Sequence, residues 1–427
     1  MIEGKRKRLS SEIEIMAPAG NFESLMAAIQ GGADAVYFGI GNLNMRSHSA
    51  NNFSLENLQE ITEICKGNGI RSYLTLNIVL YDQDLATMRE TVDAAKNAGV
   101  SAIIASDMAV ILYAREVGME VHISTQLNVS NIESVRYHSK FADVVVLSRE
   151  LTLHQIKAIS EAIEKEQIKG PSGKLVALEL FCHGALCMAV SGKCYLSLHE
   201  YNASANRGSC YQLCRRGYQV TDLETGRSLE VDNKYIMSPK DLSTIAFTDR
   251  IIDAGITVFK IEGRARSAEY VKTVVSAYRE AADAVCEEAF TPGLVAKLEN
   301  QLSSVFNRGF WDGYYLGARL GEWSEVYGNK ATRKKRYIGK VTNFFSNLSV
   351  AELLIETGEL NIGDDLLIIG PSTGVIEYIA SEIRVDLKPV DRTVKGEYCS
   401  VPVPDGLRLR RSDKVYVWEE NSRLWTI

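Results

Sequence analysis

Eight β-rich runs recur along the first two thirds of the chain, and their repetition restricts the possible folds more than any other feature. In order they are "EIEIMAPAG", "GGADAVYFGI", "RSYLTLNIVL", "AGVSAIIASD", "EVHISTQLNV", "FADVVVLSRE", "LVALELFCHG" and "AGITVFKIEG". Stretches of helical periodicity such as "SLENLQEITEICKGNG" and "DQDLATMRETVDAAKNAG" lie between them. Eight strands alternating with helices over roughly 280 residues predict an α/β fold of the closed (β/α)8 TIM-like barrel type, because a doubly wound open sheet more often has about five to seven strands. The open sheet is the alternative.

A barrel places its substrates at the C-terminal ends of the strands and in the loops that follow them. Here those positions are Ala17 to Gly20, Arg46 in the loop after the second strand, Asn77, Asp107, Ser124 to Gln126, Ser148 to Glu150, the long segment after the seventh strand, and Lys260 to Arg264. The barrel region is expected over 1–330, with an insertion at about 182–240, and "FNRGFWDGYYLG" near its end reads as packing between two domains. The run "RKKR" at 333–336 then leads into short alternating strands with Gly and Asp turns, which predict a small antiparallel β-barrel over 331–427.

Hydrophobic residues make up 46% and charged residues 24% of the chain, as in globular proteins, and no apolar run reaches the roughly 18 residues of a membrane span. The first twenty residues have a basic start but no apolar h-region, so the expected compartment is the cytosol. Eight cysteines in a chain of this kind are not a disulfide framework, and five of them fall between Cys182 and Cys214. Cys187 and Cys194 have six residues between them, Cys194 and Cys210 fifteen, and Cys210 and Cys214 three, with Gly184, Gly192 and Gly208 close by. Four thiolates hold either a tetrahedral zinc ion or a cubane iron–sulfur cluster, and spacing alone does not decide between them. Cys182, at the strand end, reads as an apolar strand residue beside the site.

The segment "ELFCHGALCMAVSGKCYLS" followed by "NRGSCYQLCRR", then "MSPKDL" and "KIEGRARSAEYV", with "STQ" and "LSREL" upstream in the same order, resembles the U32 family. That family is long labelled collagenase-like peptidases and is connected to oxygen-independent hydroxylation. The resemblance runs from "MAPAGNFESLMAAIQGGADAVYFG" to the C-terminal region. It implies a 4Fe-4S cluster and insertion of a hydroxyl group into an aromatic ring or nucleobase without O2, with prephenate as the oxygen donor in RNA-directed members. Carried over residue by residue, the implied cluster ligands are Cys187, Cys194, Cys210 and Cys214. Quinone-pathway members take a ligand from the cysteine of a "DLC" motif, whereas this chain has "DLS" with Ser243. Its size resembles the tRNA-directed members, which implies 5-hydroxyuridine formation at the wobble position. Ribosomal RNA and a quinone precursor are the alternative substrates.

Prephenate carries two carboxylates, and the expected mouth offers Arg46, Arg149, Lys240, Lys260 and Arg264 as cations. Lys260 and Arg264 lead as catalytic candidates because strand-end positions four apart can serve one pocket. Asn77, Gln126 and Glu262 complete the expected substrate-binding set, and His183 is the candidate proton carrier, with His122 as another. Net charge −6 lacks the basic balance of many nucleic-acid binders, although "KRKR" at 5–8, "RKKR" and "RLRR" at 408–411 are candidates for phosphate contact or simply solvated faces. A peptidase would lack HExxH and GxSxG, and neighbouring Cys182 and His183 are expected on opposite faces of their strand.

Overall fold

The computed structural model describes residues 8–47, 52–229, 237–317, 321–324 and 328–421. All eight expected strands form: β1 (Glu14–Pro18), β2 (Ala35–Phe38), β3 (Arg71–Leu76), β4 (Ala102–Ala105), β5 (Glu120–Ile123), β6 (Val144–Val146), β7 (Ala177–Gly184) and β8 (Val258–Ile261). Successive strands pair in parallel, and β8 closes the ring against both neighbours, with Val258 opposite Glu14 of β1 and Glu179 of β7. The closed barrel, not the open sheet, is the fold.

Local chemistry sets the helix starts. Asn21 accepts from the Ser24 amide at 2.8 Å to begin α1 (Phe22–Gln30), and Thr152 with Gln155 forms a reciprocal cap before the Leu153–Glu166 helix. The outward side chains of the strands, such as Val36, Phe38, Ile103 and Val145, join the helices in one large core. The inward ones alternate with them and include Met16, Ala35, Tyr37, Tyr73, Ile104 and Val258. Such interiors are usually aliphatic. This one also encloses His122, Glu179 and Lys260, all buried.

β7 departs from regular pairing. Lys260 lies opposite Phe181, but Ile261 lies opposite His183, so Cys182 is an extra residue on β7 and forms a bulge. The bulge interrupts the alternation that the sequence argument assumed. Cys182 sits in the helix-side core, and the His183 ring packs at 5.6 Å from Tyr278 and 6.1 Å from Tyr270, both in the Ala268–Cys286 helix. After the cysteine segment, the chain returns as a short strand, Asp241–Ser243, antiparallel to the end of β7. Phe310–Trp311 pairs with that strand, and Tyr315 donates to the Phe181 carbonyl at 2.9 Å. The aromatic stretch expected between two domains is therefore seated on β7 and its insertion.

Arg333 to Glu420 bound an eight-stranded antiparallel sheet with its own core of residues such as Ile338, Leu353, Leu366 and Val417. It docks on α1 and the Ala268–Cys286 helix: Gln30 donates to the Thr373 carbonyl at 2.9 Å and Lys272 to that of Val375 at 2.9 Å. The "RKKR" run lies in its first strand, where Arg333 pairs with Asp365, Lys334 and Arg336 with Glu419, and Lys335 with Glu269. Those four cations are occupied by carboxylates. Arg408, Arg410 and Arg411 are exposed, while 5–7 of the "KRKR" run lie outside the described residues. No helix among the described residues is long and apolar enough to cross a membrane.

Candidate active site at the barrel mouth

Glu262 follows β8 at the rim, and the mouth is built around its carboxylate. Arg46, from the loop after β2, pairs with it at 2.6 Å, and Tyr37 donates to it at 3.3 Å while also donating to the Ile261 carbonyl at 2.8 Å. Burial opposes ionisation of Glu262, but Arg46, Arg264 and Arg149 outweigh it and bring the carboxyl down to about 2. Burial likewise raises the Tyr37 phenol well above its ordinary value, with the Glu262 charge adding to it. Arg264 is buried and donates to Asn44 at 3.0 Å and Thr75 at 2.9 Å, and its Nε has no hydrogen-bond partner among the described residues. Burial lowers its guanidinium to about 10, which leaves it charged at neutral pH. Three arginines around one carboxylate give a local charge of +3 − 1 = +2.

The other expected mouth residues frame this group. Asn77 accepts from the Met45 amide at 3.3 Å and donates to Ser124 at 3.2 Å, and Ser124 donates to Gln126 at 2.5 Å. Arg149 donates to Ser191 at 3.0 Å and lies 4.8 Å from the Phe181 ring centroid. Sequence reasoning missed Tyr37, Asn44, Thr75 and Ser191. The inward parity of Tyr37 with Ala35 was available as a signal, but the contacts of the others join segments far apart in the chain: Asn44 and Ser191 from loops and Thr75 from β3.

Lys260, Lys240 and His183 are placed elsewhere. Lys260 points into the barrel, donating to Glu179 at 2.6 Å, with its ammonium 4.9 Å from the Tyr37 ring centroid. It shares that tyrosine with Arg264, 5.9 Å from the same centroid, but lies deeper than the rim. Lys240 pairs with Glu322 at 2.8 Å, away from Glu262. His183 is sealed on the helix side of β7, and burial, reinforced by Arg266, lowers its imidazole to about 3. Cys182 donates to the Lys260 carbonyl at 3.4 Å, and burial raises its thiol well above the ordinary value. A fully buried thiol of that kind is no nucleophile.

The cysteine segment lies over the mouth. Gly208, at φ +88°, packs so closely on Ser47 and Asn44 that a Cβ there would meet the Asn44 carbonyl oxygen at 2.6 Å, and the Arg46 guanidinium feels the charge of Cys210. Cys214 is influenced by Cys187, Cys210 and Cys194, and Cys194 by Cys187 and Cys210. Burial raises both titrations, that of Cys214 to about 11. Among the described residues no three His, Cys, Asp or Glu side chains are set to hold a single metal ion. Sulfurs around one zinc stand only about 4 Å apart, since each Zn–S bond is ~2.3 Å. A cubane takes each thiolate to a different iron and so accepts a wider set. The donor set is all sulfur, which suits a thiolate-held metal centre, zinc ion or cubane alike.

A closed parallel barrel with an arginine-rimmed mouth under a four-cysteine insertion defines the class of protein. The model described as peptidase family U32 matches residues 20–325, and the chain belongs to that family. It is 57% identical over 410 residues to a protein of Porphyromonas gingivalis named collagenase, covering 96% of this chain and 99% of that one. It is 33% identical over 394 residues to a tRNA hydroxylation protein of Bacillus subtilis, covering 90% of each. An Escherichia coli protein named as a 23S rRNA 5-hydroxycytidine synthase is 35% identical over 323 residues, which cover 73% of this chain and 46% of that protein.

Proposed function

We propose that this chain hydroxylates RNA without O2, converting wobble uridine of tRNA to 5-hydroxyuridine, with prephenate as oxygen donor and a 4Fe-4S cluster on Cys187, Cys194, Cys210 and Cys214. The observation that carries the reading is the close packing of Gly208, two residues before Cys210, on Asn44 and Ser47 of the loop that carries Arg46, which supports a thiol site beside the arginine-rimmed mouth. The names of the Bacillus subtilis and Escherichia coli relatives support RNA hydroxylation as the general activity. Replacing C5–H of a pyrimidine by C5–OH is a two-electron oxidation, which balances if the oxygen donor, losing its C–O bond and gaining hydrogen, is reduced by the same electron pair; a cluster held by the four thiolates would supply electron-carrying chemistry that no side chain of this mouth provides. The local charge of +2 complements the prephenate dianion. Arg46 and Arg264 offer parallel N–H donors to its carboxylates, with the unpartnered Arg264 Nε as one of them. Asn77, Gln126 and Arg149 bound the same space. Glu262 holds Arg46 in place and keeps the rim from carrying the full charge of three cations.

The test joins two measurements. Protein purified anaerobically should be brown and contain about four irons per chain, and tRNA from a strain lacking this gene and any second hydroxylase should lose 5-hydroxyuridine by nucleoside mass spectrometry. A colourless protein with stoichiometric zinc overturns the cluster. Unchanged tRNA with loss of ribosomal RNA or quinone hydroxylation overturns the substrate.

The name of the Porphyromonas gingivalis relative favours a second reading, peptide hydrolysis. The sealed Cys182 thiol and its bond to a backbone carbonyl rather than to His183 speak against that dyad. Gelatin cleavage that is independent of the four cysteines would establish it.

A further inference from the structure

Arg215 directly follows Cys214, and its side chain reaches back to the segment that carries Cys187. The guanidinium donates through Nη2 to the Leu186 carbonyl at 2.7 Å, and through Nη1 to the Pro239 carbonyl at 2.5 Å and the Ser238 hydroxyl at 3.1 Å. Leu186 directly precedes Cys187, so one planar group joins the turns that hold the first and the last of the four candidate ligands. Both turns are anchored in the same way. Leu186 and Leu213, each one residue before a cysteine, are buried, whereas Cys187 is exposed and Cys214 partly so. The Arg215 amide closes the Cys214 turn by donating to the Gln212 carbonyl at 2.9 Å, and the Tyr218 hydroxyl donates to the Leu213 carbonyl at 2.7 Å. Leu242 lies opposite Gly184 where the Asp241–Ser243 strand meets β7, so Leu186 and Pro239 stand just past the end of that pairing. Carbonyls that leave a ladder need another donor, and the arginine fork supplies parallel N–H groups that a lysine ammonium lacks.

The three acceptors of the guanidinium are neutral. Among the described residues no carboxylate pairs with Arg215: Asp241, whose charge it feels, is held by Arg308 at 3.1 Å, and the like charge of Arg308 acts against it. Further opposite charge comes to it from the thiols of Cys214 and Cys187 when these ionise. A half-buried cation held by neutral oxygens is unfavourable alone, and so are four thiolates drawn to one centre; each offsets the other. Its neighbour Arg216 differs on each count. Arg216 is exposed and donates to the Tyr201 hydroxyl at 2.9 Å.

We infer that Arg215 is a positioning residue for the four-cysteine centre, tying the Cys187 and Cys214 turns together and placing a fixed positive charge beside the thiolates. The inference rests on the thiol-centre part of the proposed function and is independent of the RNA substrate.

The experiment reads the centre, not hydroxylation. Full-length protein is purified anaerobically, its iron and zinc are counted, and release of the metal to a chelator is timed; for an iron protein the reduction potential is also titrated. Arg215→Gln, which removes both fork and charge, should release metal about 10- to 100-fold faster, the range in which partners that orient metal ligands count. It should also lower the potential, because reduction adds an electron to a centre that has lost its neighbouring cation. Arg215→Lys keeps the charge without the fork, so it should release metal faster than wild type while its potential stays nearer to wild type than that of the Gln form. Arg216→Gln removes an equal charge one residue further on and should release metal within about twofold of wild type, because an exposed charge is screened by salt. Equal release from wild type and Arg215→Gln overturns the inference and leaves the four-cysteine centre standing. An Arg216→Gln effect as large as that of Arg215→Gln overturns it too, since net charge then explains both. Lys and Gln forms that shift the potential alike overturn the charge role. A zinc protein is judged on release alone. Thermal unfolding of the metal-free forms checks folding, and if Arg215→Gln does not fold, release from Arg215→Lys as slow as from wild type overturns the clamp. Wild-type protein that holds no metal overturns the inference and the centre together.

Discussion

Replacing Lys260 by Met separates structural from chemical roles in the barrel interior. The Lys260 side chain is 5% exposed and its partner Glu179 is fully buried, with Nζ and Oε1 2.6 Å apart. Among the described residues the second Glu179 oxygen and Nδ1 of His122 have no hydrogen-bond partner, and they stand 3.9 Å apart. Lys260→Met thus leaves a carboxylate buried without a strong donor, at a cost of about 3–5 kcal/mol. Little of that cost comes from packing, because the unbranched Met side chain preserves most of the stem beside Tyr37 and Phe181. Glu179→Leu strands the ammonium instead, but the two rings still face it and return about 1 kcal/mol. The double variant removes both charges and should lie within about 1–2 kcal/mol of wild type, because a buried pair contributes little beyond matched apolar groups. The exposed pair of Lys297 with Glu280 at 2.6 Å is the control, and Lys297→Met should cost about 0–1 kcal/mol. Urea unfolding followed by circular dichroism measures all four variants. A Lys260→Met cost below about 1 kcal/mol, or a double variant as unstable as the sum of the singles, would refute the reasoning. If the double variant folds but lacks the proposed activity, the Lys260–Glu179 pair has a chemical role besides its structural one.

Two further perturbations test other parts of the structure. His183 has a folded-state value of about 3 against an ordinary 6.5, so the unfolded chain binds more protons between those limits: its contribution to stability is complete above about pH 6.5 and is lost as pH falls toward 3, by at most ~1.4 kcal/mol per pH unit. His183→Phe should flatten that part of the stability–pH curve, and an unchanged slope would show that other groups control it. Gly208→Ala must adopt φ +88° and push aside the Asn44 and Ser47 contacts, so tryptic cleavage after Arg207 should accelerate severalfold, while an unchanged rate would mean that the segment is not held by that contact.

The barrel was legible because its evidence is local: eight short β-rich runs, each with a helical period behind it, read the same in sequence as in space. The position of the cysteine segment followed from strand order alone, since whatever follows the seventh strand emerges at the mouth. Spacing also placed Lys260 and Arg264 at one pocket, but it says nothing of depth. Lys260 descends to Glu179, 81 residues earlier, whereas Glu262 remains at the rim with Arg46, 216 residues earlier. The bulge at Cys182 was invisible because a single extra residue in a strand changes which way His183 faces without altering composition or period. The "RKKR" run left phosphate contact and a solvated face both open, because its carboxylate partners lie on other strands and on a barrel helix. Periodicity and turn chemistry act over a few residues and so determined the elements and their order in the sequence itself. The charge around Glu262, the burial of His183 and the packing of Gly208 on Asn44 and Ser47 depend on which distant loops meet when the ring of strands closes, and only the tertiary structure decided those.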